Sequence, residues 1–237
     1  MSSITNISAV IITYNEQEHI ARCVQSLQGI ADEIVIMDSD SADDTVAIAA
    51  KLGARVINTE WSGYAETKNK GNEQATYDYI LSIDADEELS DELRTSLQAL
   101  KKIGFKENAA YTFNRLNNYC GQWIRYAGWY PDTKERLFDR RYTKWEGEVH
   151  EQLVHTQEVI TIKVKGDLLH YSIKDKADHI ARIHKYNKLA RKYPNRLVAY
   201  LSAISTFIKL YVVKSGFLDG ALGFQLCLIS AKAKIWR

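Results

Sequence analysis

Short apolar runs and helical stripes alternate along the first hundred residues. Ser8–Thr13 (SAVIIT) is continuous, apolar and β-branched, the mark of a strand buried on both faces. Asn15–Gln28 then sets Ile20, Val24 and Leu27 at helical spacing, with Gly29 as a stop. The alternation repeats: Glu33–Met37 (EIVIM) reads as strand, Asp43–Leu52 as helix with Gly53 at its C′ position, and Ala54–Asn58 as strand. Ala65–Tyr77 follows as helix and Tyr79–Ile83 (YILSI) as strand. Ser90 caps a further helix to Leu100, with Asp91 and Glu92 in the first turn, where the macrodipole favours anions. This alternation, with short connections, predicts an α/β domain on a mostly parallel central sheet with helices on both faces. Ligands of such sheets sit at the carboxyl ends of strands. Those ends are Thr13–Glu16, Asp38–Asp44 and Asp84–Glu88, all polar, the last two rich in carboxylates.

The pattern changes after residue 105. Ala109–Asn117, Lys134–Arg141 and Val159–Lys165 read as further strands, with Trp, Tyr and Arg between them, so 106–173 is expected to be mixed sheet with loops. Lys176–Tyr193 is a basic helix ending before Pro194. Leu197, Leu201, Ile204, Ile208 and Tyr211 then form one helical stripe, and a second apolar stretch runs from Phe217 to Ala231. Lys209 interrupts the first and Asp219 the second, so neither is expected to provide the roughly 20 apolar residues of a membrane span. A basic helix followed by two amphipathic ones instead predicts a segment, 174–237, that lies on a membrane.

Charge sharpens that division. The chain of 237 residues has a net charge of only +1, but from Lys174 onward thirteen Lys/Arg face three acids, leaving the preceding residues acidic. The tail therefore wants an acidic surface. It is too apolar for a solvated nucleic-acid arm, so an anionic membrane is the expected partner. Three scattered cysteines (Cys23, Cys120, Cys227) without CxxC spacing argue against a disulfide framework or zinc site and fit a reducing compartment. The N-terminal MSSITNISAV has no basic run before a long apolar one, so no signal peptide is expected there.

Two phosphate-binding devices are missing. The turn after the first strand, Thr13-Tyr14-Asn15-Glu16, has no glycine, which excludes a GxGxxG fingerprint, and no P-loop is present. A nucleotide would be gripped by side chains from the first two strand ends. Asp84-Ala85-Asp86 sets two carboxylates at i and i+2 just past a strand, a hard-oxygen arrangement suited to Mg²⁺ or Mn²⁺ on a diphosphate. A haloacid-type phosphatase also uses DxD, but on its first strand and with a Thr soon after. Here the motif follows the fourth strand and leads to Glu87-Glu88.

The runs SAVIITYNEQEHIARCVQSL, EIVIMDSDSADDT, GYAETKNKG and ILSIDADEEL together resemble glycosyltransferase family 2, and within it the lipopolysaccharide-core β-1,4-glucosyltransferase-like group. The likeness is strong over the first 90 residues or so and looser over WEGEVHEQL and the tail. One departure is Asp43-Asp44-Thr45, where that family more often has Asp-Gly-Thr. The resemblance implies the GT-A nucleotide-diphospho-sugar transferase fold over 1–173, with 1–105 as nucleotide-binding half and 106–173 as acceptor half. It also implies a metal-dependent, inverting hexosyltransferase taking glucose from a UDP donor to a glycan or glycolipid such as lipopolysaccharide core. Its place would be the cytoplasm, peripheral at the inner face of the plasma membrane; an oligomer is compatible with all of this.

Site roles follow from the same resemblance. Thr13, Tyr14, Asn15 and Glu16 would line the nucleotide pocket, Asp38 would meet base or ribose, and Lys68 would sit near the base or diphosphate. Asp84 would lie at the ribose and Asp86 on the metal, with His170 as a further metal ligand. Direct displacement at an anomeric carbon needs a carboxylate to take the acceptor's proton; Glu151 is the first choice and Glu148 the alternative, with His150 orienting the base or touching a phosphate. Arg136 would offset diphosphate charge, with Arg140 and Arg141 either helping it or lying on a solvated strand edge. The other readings that the sequence leaves open are a nucleotidyltransferase, which would want a glycine-rich first loop with a following Arg or Lys, and a non-catalytic sugar-nucleotide-binding protein at the membrane.

Overall fold

The computed structural model describes residues 5–147, 151–187 and 195–236. Two compact units divide the chain: Met1–Asn114 with Thr133–Leu169, and Arg115–Asp132 with His170–Arg237.

The first unit opens as the hydrophobic pattern predicts. β1 (Ile7–Thr13), α1 (Ile20–Leu27), β2 (Glu33–Asp38), α2 (Thr45–Lys51), β3 (Arg55–Asn58), α3 (Tyr64–Gln74) and β4 (Tyr79–Asp84) succeed one another. β5 (Glu87–Leu89), α4 (Asp91–Ile103), β6 (Ala109–Tyr119), β7 (Gln122–Ile124), β8 (Asp132–Asp139), β9 (Thr143–Glu146), β10 (Gln152–His155) and β11 (Ile160–Ile173) follow. The large sheet runs β3-β2-β1-β4-β8-β6-β11-β5. Its first four strands are parallel and β8 pairs antiparallel with β4, while β9 and β10 form a separate hairpin.

β1 explains why helices cover both faces. Ile7, Ala9 and Ile11 pack with residues of α1, α2 and α4, whereas Val10 and Ile12 pack with Ala65 of α3 and with Trp145 of β9. Successive side chains on a strand point to opposite faces, so a run without polar breaks must be covered twice. α4 is capped as expected, Ser90 Oγ accepting from the Leu93 N–H at 3.3 Å. α3 has little apolar surface and docks by proximity: a Cβ on Gly71 would come within 2.5 Å of Val10 Cγ1 and 2.9 Å of Met37 Cγ. Register sets the parallel strand ends side by side, with Thr13 opposite Asp38, Asp38 opposite Asn58 and Ile12 opposite Asp84.

The second unit holds the later parts of β6 and β11, then β7, α5 (Lys176–Asn187), α6 (Arg196–Ile208) and α7 (Gly220–Ile235). A π-helical turn, Lys209–Val213, continues α6, and a 3₁₀ turn, Gly216–Asp219, precedes α7. Its core gathers Tyr119, Ile124, Ala127, Leu226 and Cys227, with Trp129, Phe207, Leu210 and Tyr211 against them. The basic helix expected over 176–193 is seen to Asn187; 188–194 lie outside the described residues. Asp219 does not disturb the apolar stretch, because it turns inward and accepts the Arg125 and Tyr126 N–H groups at 3.1 and 2.9 Å. The expected shortness of the first apolar stretch is corrected. Arg196–Val213 forms 18 continuous helical residues of mean hydropathy 1.5, long and apolar enough to cross a membrane by length and composition. Lys209 does not end the helix, which continues through it as the π-turn, and the window that contains it keeps its apolar average.

Candidate active site

The site lies in the first unit, at the carboxyl edge of the parallel strands. Lys68 projects from α3 and is 1% exposed. Its Nζ lies 3.0 Å from Asp84 Oδ1, at the end of β4, and 3.1 Å from Glu151 Oε1. The Trp145 ring, on β9, lies 4.6 Å from that ammonium at its centroid, close enough for a cation–π contact. Asn69, the next residue on α3, pins helix to hairpin: its Nδ2 donates to the Trp145 carbonyl and its Oδ1 accepts the Trp145 N–H, both at 2.9 Å.

Arg136 on β8 closes the network from the other side. Its Nη2 donates to Asp84 Oδ2 at 2.8 Å and to Glu87 Oε1 at 2.6 Å. Glu87 is itself buried and accepts the Asp84 N–H through Oε2 at 3.0 Å. The result is a chain of alternating charge, Glu151–Lys68–Asp84–Arg136–Glu87. Burial pushes the Asp84 carboxyl up, but the Arg136 and Lys68 charges outweigh it and hold the group well below the usual carboxylate range. Burial likewise works against the Arg136 charge, which Asp84 and Glu87 more than restore. Cys23, whose thiol donates to the Asp84 carbonyl at 3.7 Å, is pushed well up by burial and the nearby carboxylates, which keeps it in the thiol form.

The loops after β1 and β2 are laced together. The Asn15 N–H donates to Ser41 Oγ, and Asn15 Oδ1 accepts the Ala42 N–H, both at 2.8 Å. Thr45 Oγ1 accepts the Glu16 N–H at 2.8 Å, and Asp43 Oδ2 accepts the Gln17 N–H at 3.2 Å. Asp38 is 2% exposed and takes both the N–H and the hydroxyl of Ser41, at 2.9 and 2.6 Å. Beside it opens a cavity of about 470 Å³ lined by Asp38, Asp40, Ser41, Val46, Val56 and Asn58. The Thr13 and Ser39 hydroxyls nearby are buried and have no hydrogen-bond partner among the described residues. Tyr14 is 60% exposed at the same edge.

Nine of the sequence-predicted residues fall into two sets. Lys68, Asp84, Arg136 and Glu151 share one network; Thr13, Tyr14, Asn15, Glu16 and Asp38 share the loops beside the cavity. His170 belongs to the second unit, where its Nδ1 lies 2.6 Å from Asn117 Oδ1. Glu148 and His150 lie outside the described residues. Arg140 serves the fold, donating to the Ala75 carbonyl at 2.8 Å and to that of Asn72, while Arg141 pairs with Asp139 at 2.6 Å. Two parts of the network were not foreseen, the Glu87 counterion and the Trp145 ring. Glu87 was findable: at period two it shares the inward side of β5 with Leu89. The departure from Asp-Gly-Thr falls on Asp44, whose φ of −76° needs no glycine, while Asp43 keeps its place and accepts both the N–H and the hydroxyl of Thr45.

A divalent ion has a partial fit. Among the described residues no three His, Cys, Asp or Glu side chains cluster as a ready cage. Both Asp84 oxygens face cations, so the motif does not offer an ion two open carboxylates. That suits an ion held by one carboxylate, waters and substrate phosphates, the usual habit of Mg²⁺.

The first unit thus carries buried charge at the carboxyl edge of its parallel strands, where other α/β sheets have a glycine-rich cradle. Comparison with known proteins makes this specific. The family model "Glycosyl transferase family 2" matches residues 8–155. An uncharacterized glycosyltransferase of Rickettsia typhi is 30% identical over 98% of this chain and 85% of its own. The lipopolysaccharide core biosynthesis glycosyltransferase LpsC of Rhizobium meliloti is 29% identical over 98% and 92% respectively. Among solved structures, glucosyl-3-phosphoglycerate synthase from Mycobacterium tuberculosis, in complex with Mn²⁺ and UDP-glucose, aligns at TM-score 0.40 and 22% identity. That alignment covers 48% of this chain and 44% of that one, so the chain spans less than half the length of the solved structure. The chain belongs to glycosyltransferase family 2, and its mixed sheet with helices on both faces is the GT-A fold.

Proposed function

We propose that this transferase moves a hexose, glucose from a UDP donor, to a hydroxyl of a cell-envelope glycan or glycolipid such as lipopolysaccharide core, with inversion. The acceptor oxygen forms its bond to the anomeric carbon as the bond to the diphosphate oxygen breaks. The electron pair leaves with the nucleoside diphosphate, and the acceptor's proton passes to Glu151. The observation that carries this reading is the Lys68 ammonium, which holds Glu151 and Asp84 at 3.1 and 3.0 Å and so ties an acceptor-side base to a donor-side carboxylate. The nucleoside is read into the cavity beside Asp38, with Thr13, Tyr14, Asn15 and Glu16 at its rim.

Charge argues for the metal. Among the described residues, Asp84, Glu87 and Glu151 set three carboxylates around the Lys68 ammonium and the Arg136 guanidinium. A diphosphate approaching that surface is repelled unless a cation comes with it. Asp86 would hold a Mg²⁺ or Mn²⁺ that arrives with the donor, and the ion would supply charge neutralisation of the leaving group. The full-length likeness to LpsC supports a lipopolysaccharide acceptor. An acceptor with a lipid end, together with the basic segment from Lys174, supports work at an anionic membrane surface on the cytoplasmic side.

The test is a thermal-shift screen of nucleotide sugars with and without Mn²⁺, followed by transfer assays. UDP-glucose with Mn²⁺ at about 100 times its Kd should add roughly 2.7 kcal/mol of stability. Glu151→Gln should keep that shift and lose transfer by on the order of a hundredfold or more. Wild-type turnover in Glu151→Gln refutes the assignment of the base.

A further inference from the structure

α6 is packed inside out. Its buried positions are two alanines, Ala199 and Ala203, while Leu197, Leu201, Ile204 and Ile208 are 49–67% exposed and Val212 and Val213 are 57% and 70% exposed. A helix on a water-soluble surface normally buries its large aliphatic side chains and presents polar ones. This helix already has its protein partners, because Phe207, Leu210 and Tyr211 pack into the core around Leu226 and Cys227. The aliphatic stripe is left over, and it is continuous along 18 residues.

The charges around the stripe select what covers it. Between residues 195 and 236 the cations are Arg196, Lys209, Lys214, Lys232 and Lys234, and the acid is Asp219. Asp219 is 6% exposed, with its carboxylate turned onto the Arg125 and Tyr126 N–H groups, whereas Lys209 and Lys214 are exposed. An apolar face edged by cations, with its acid withdrawn, complements the headgroup–acyl boundary of an anionic bilayer. A second copy complements it poorly, since the acid within the described residues 195–236, Asp219, is buried and offers the other copy's Lys209 and Lys214 no partner.

We infer that α6 lies in the plane of an anionic membrane, its Leu197–Val213 face immersed and Lys209 and Lys214 level with the lipid phosphates. A spanning orientation would carry Lys209 into hydrocarbon and strip Ala199 and Ala203 from the protein they pack on. The inference rests on the proposed membrane location for its purpose, yet bare vesicles without any glycan test it apart from catalysis.

The experiment is sedimentation of the full chain with vesicles of phosphatidylcholine, alone or with phosphatidylglycerol as about a third of the lipid. The wild type should partition on the order of tenfold more strongly to the anionic vesicles. Leu201→Glu/Ile204→Glu should abolish binding, and Lys209→Glu/Lys214→Glu should weaken it by on the order of tenfold. All these side chains are exposed, so each variant should keep the wild-type circular dichroism and its thermal shift with UDP. Absence of vesicle binding by the wild type, or binding untouched by Leu201→Glu/Ile204→Glu, overturns the inference. So does a wild-type dimer that this variant turns into a monomer in light scattering without vesicle binding at any stage. Vesicle binding that persists without any nucleotide-sugar shift would sink the enzymatic reading and leave this one standing.

Discussion

Asp84 holds the residues of the site together, and Glu87 holds Asp84. Each Asp84 oxygen meets one cation, and its own N–H is fixed by the Glu87 carboxylate that also steers Arg136. Burying ions is costly, and such a cluster is tolerated because every charge faces its opposite. Removing one partner is therefore expensive. Glu87→Gln keeps the shape and loses the charge, leaving Arg136 with one carboxylate; it should cost about 3 kcal/mol, read as a lower urea midpoint at an unchanged slope. A midpoint equal to wild type would mean that Glu87 is a bystander. The DxD motif made Asp84 legible as a site residue, but not its companions. Lys68 and Arg136 are separated from it in sequence, and nothing local in KNKG or KERLF says which carboxylate each will meet. Glu151 is 83 residues from Lys68, a pairing that depends on β9 folding back onto α3.

Elements were legible where burial alone decides them. The runs SAVIIT, EIVIM and YILSI became β1, β2 and β4 within one residue at either end, since uninterrupted apolar β-branched residues have few other uses. The antiparallel insertion of β8 beside β4 and the placing of β11 beside the edge strand β5 were not legible, because long-range strand pairing leaves no periodic mark in the sequence. α6 shows a different limit. Its stripe is evident in sequence, but a helical period does not say whether the apolar side faces protein or lipid. α3 is the element on which the site most depends, and it is held by closeness more than by area. Gly71→Ala would drive a methyl to within 2.5 Å of Val10 Cγ1 and 2.9 Å of Met37 Cγ, on strands that cannot yield. Alanine's better helix propensity returns about 1 kcal/mol, less than the overpacking of about 1–3 kcal/mol takes away. The variant should be net destabilised and, with Lys68 three residues away on the same helix, should bind the donor more weakly in the thermal-shift assay. Asn69→Ala is the complementary test. It strips the Trp145 backbone of two partners, should cost about 1–3 kcal/mol, and should lower transfer more than donor binding if β9 carries the base's neighbourhood.

At the scale of the whole molecule, the sheet of the first unit has a working end and a structural end, and acid separates them. Glu33 begins β2, at the end opposite the site, and joins three other segments. It accepts from the Ser8 hydroxyl of β1 at 2.7 Å, from Arg55 of β3 at 2.8 Å, and from the Thr76 N–H and hydroxyl beyond α3 at 2.7 and 2.9 Å. Burial pushes its carboxyl up, but these bonds more than reverse the push and lower it from 4.5 to about 2. The unfolded chain therefore takes up this proton before the folded one does. The stability that Glu33 contributes is complete above about pH 4.5 and drains away as pH falls toward about 2. Urea midpoints for the wild type should thus drop between neutral pH and about pH 3, while Glu33→Gln should start lower and lose less over the same interval. Because Glu33 stands away from Lys68 and Asp84, the variant should keep its nucleotide-sugar shift and its turnover at neutral pH. A wild-type pH profile that Glu33→Gln merely displaces downward, without flattening it, would show that the acid sensitivity of the fold resides in other carboxylates.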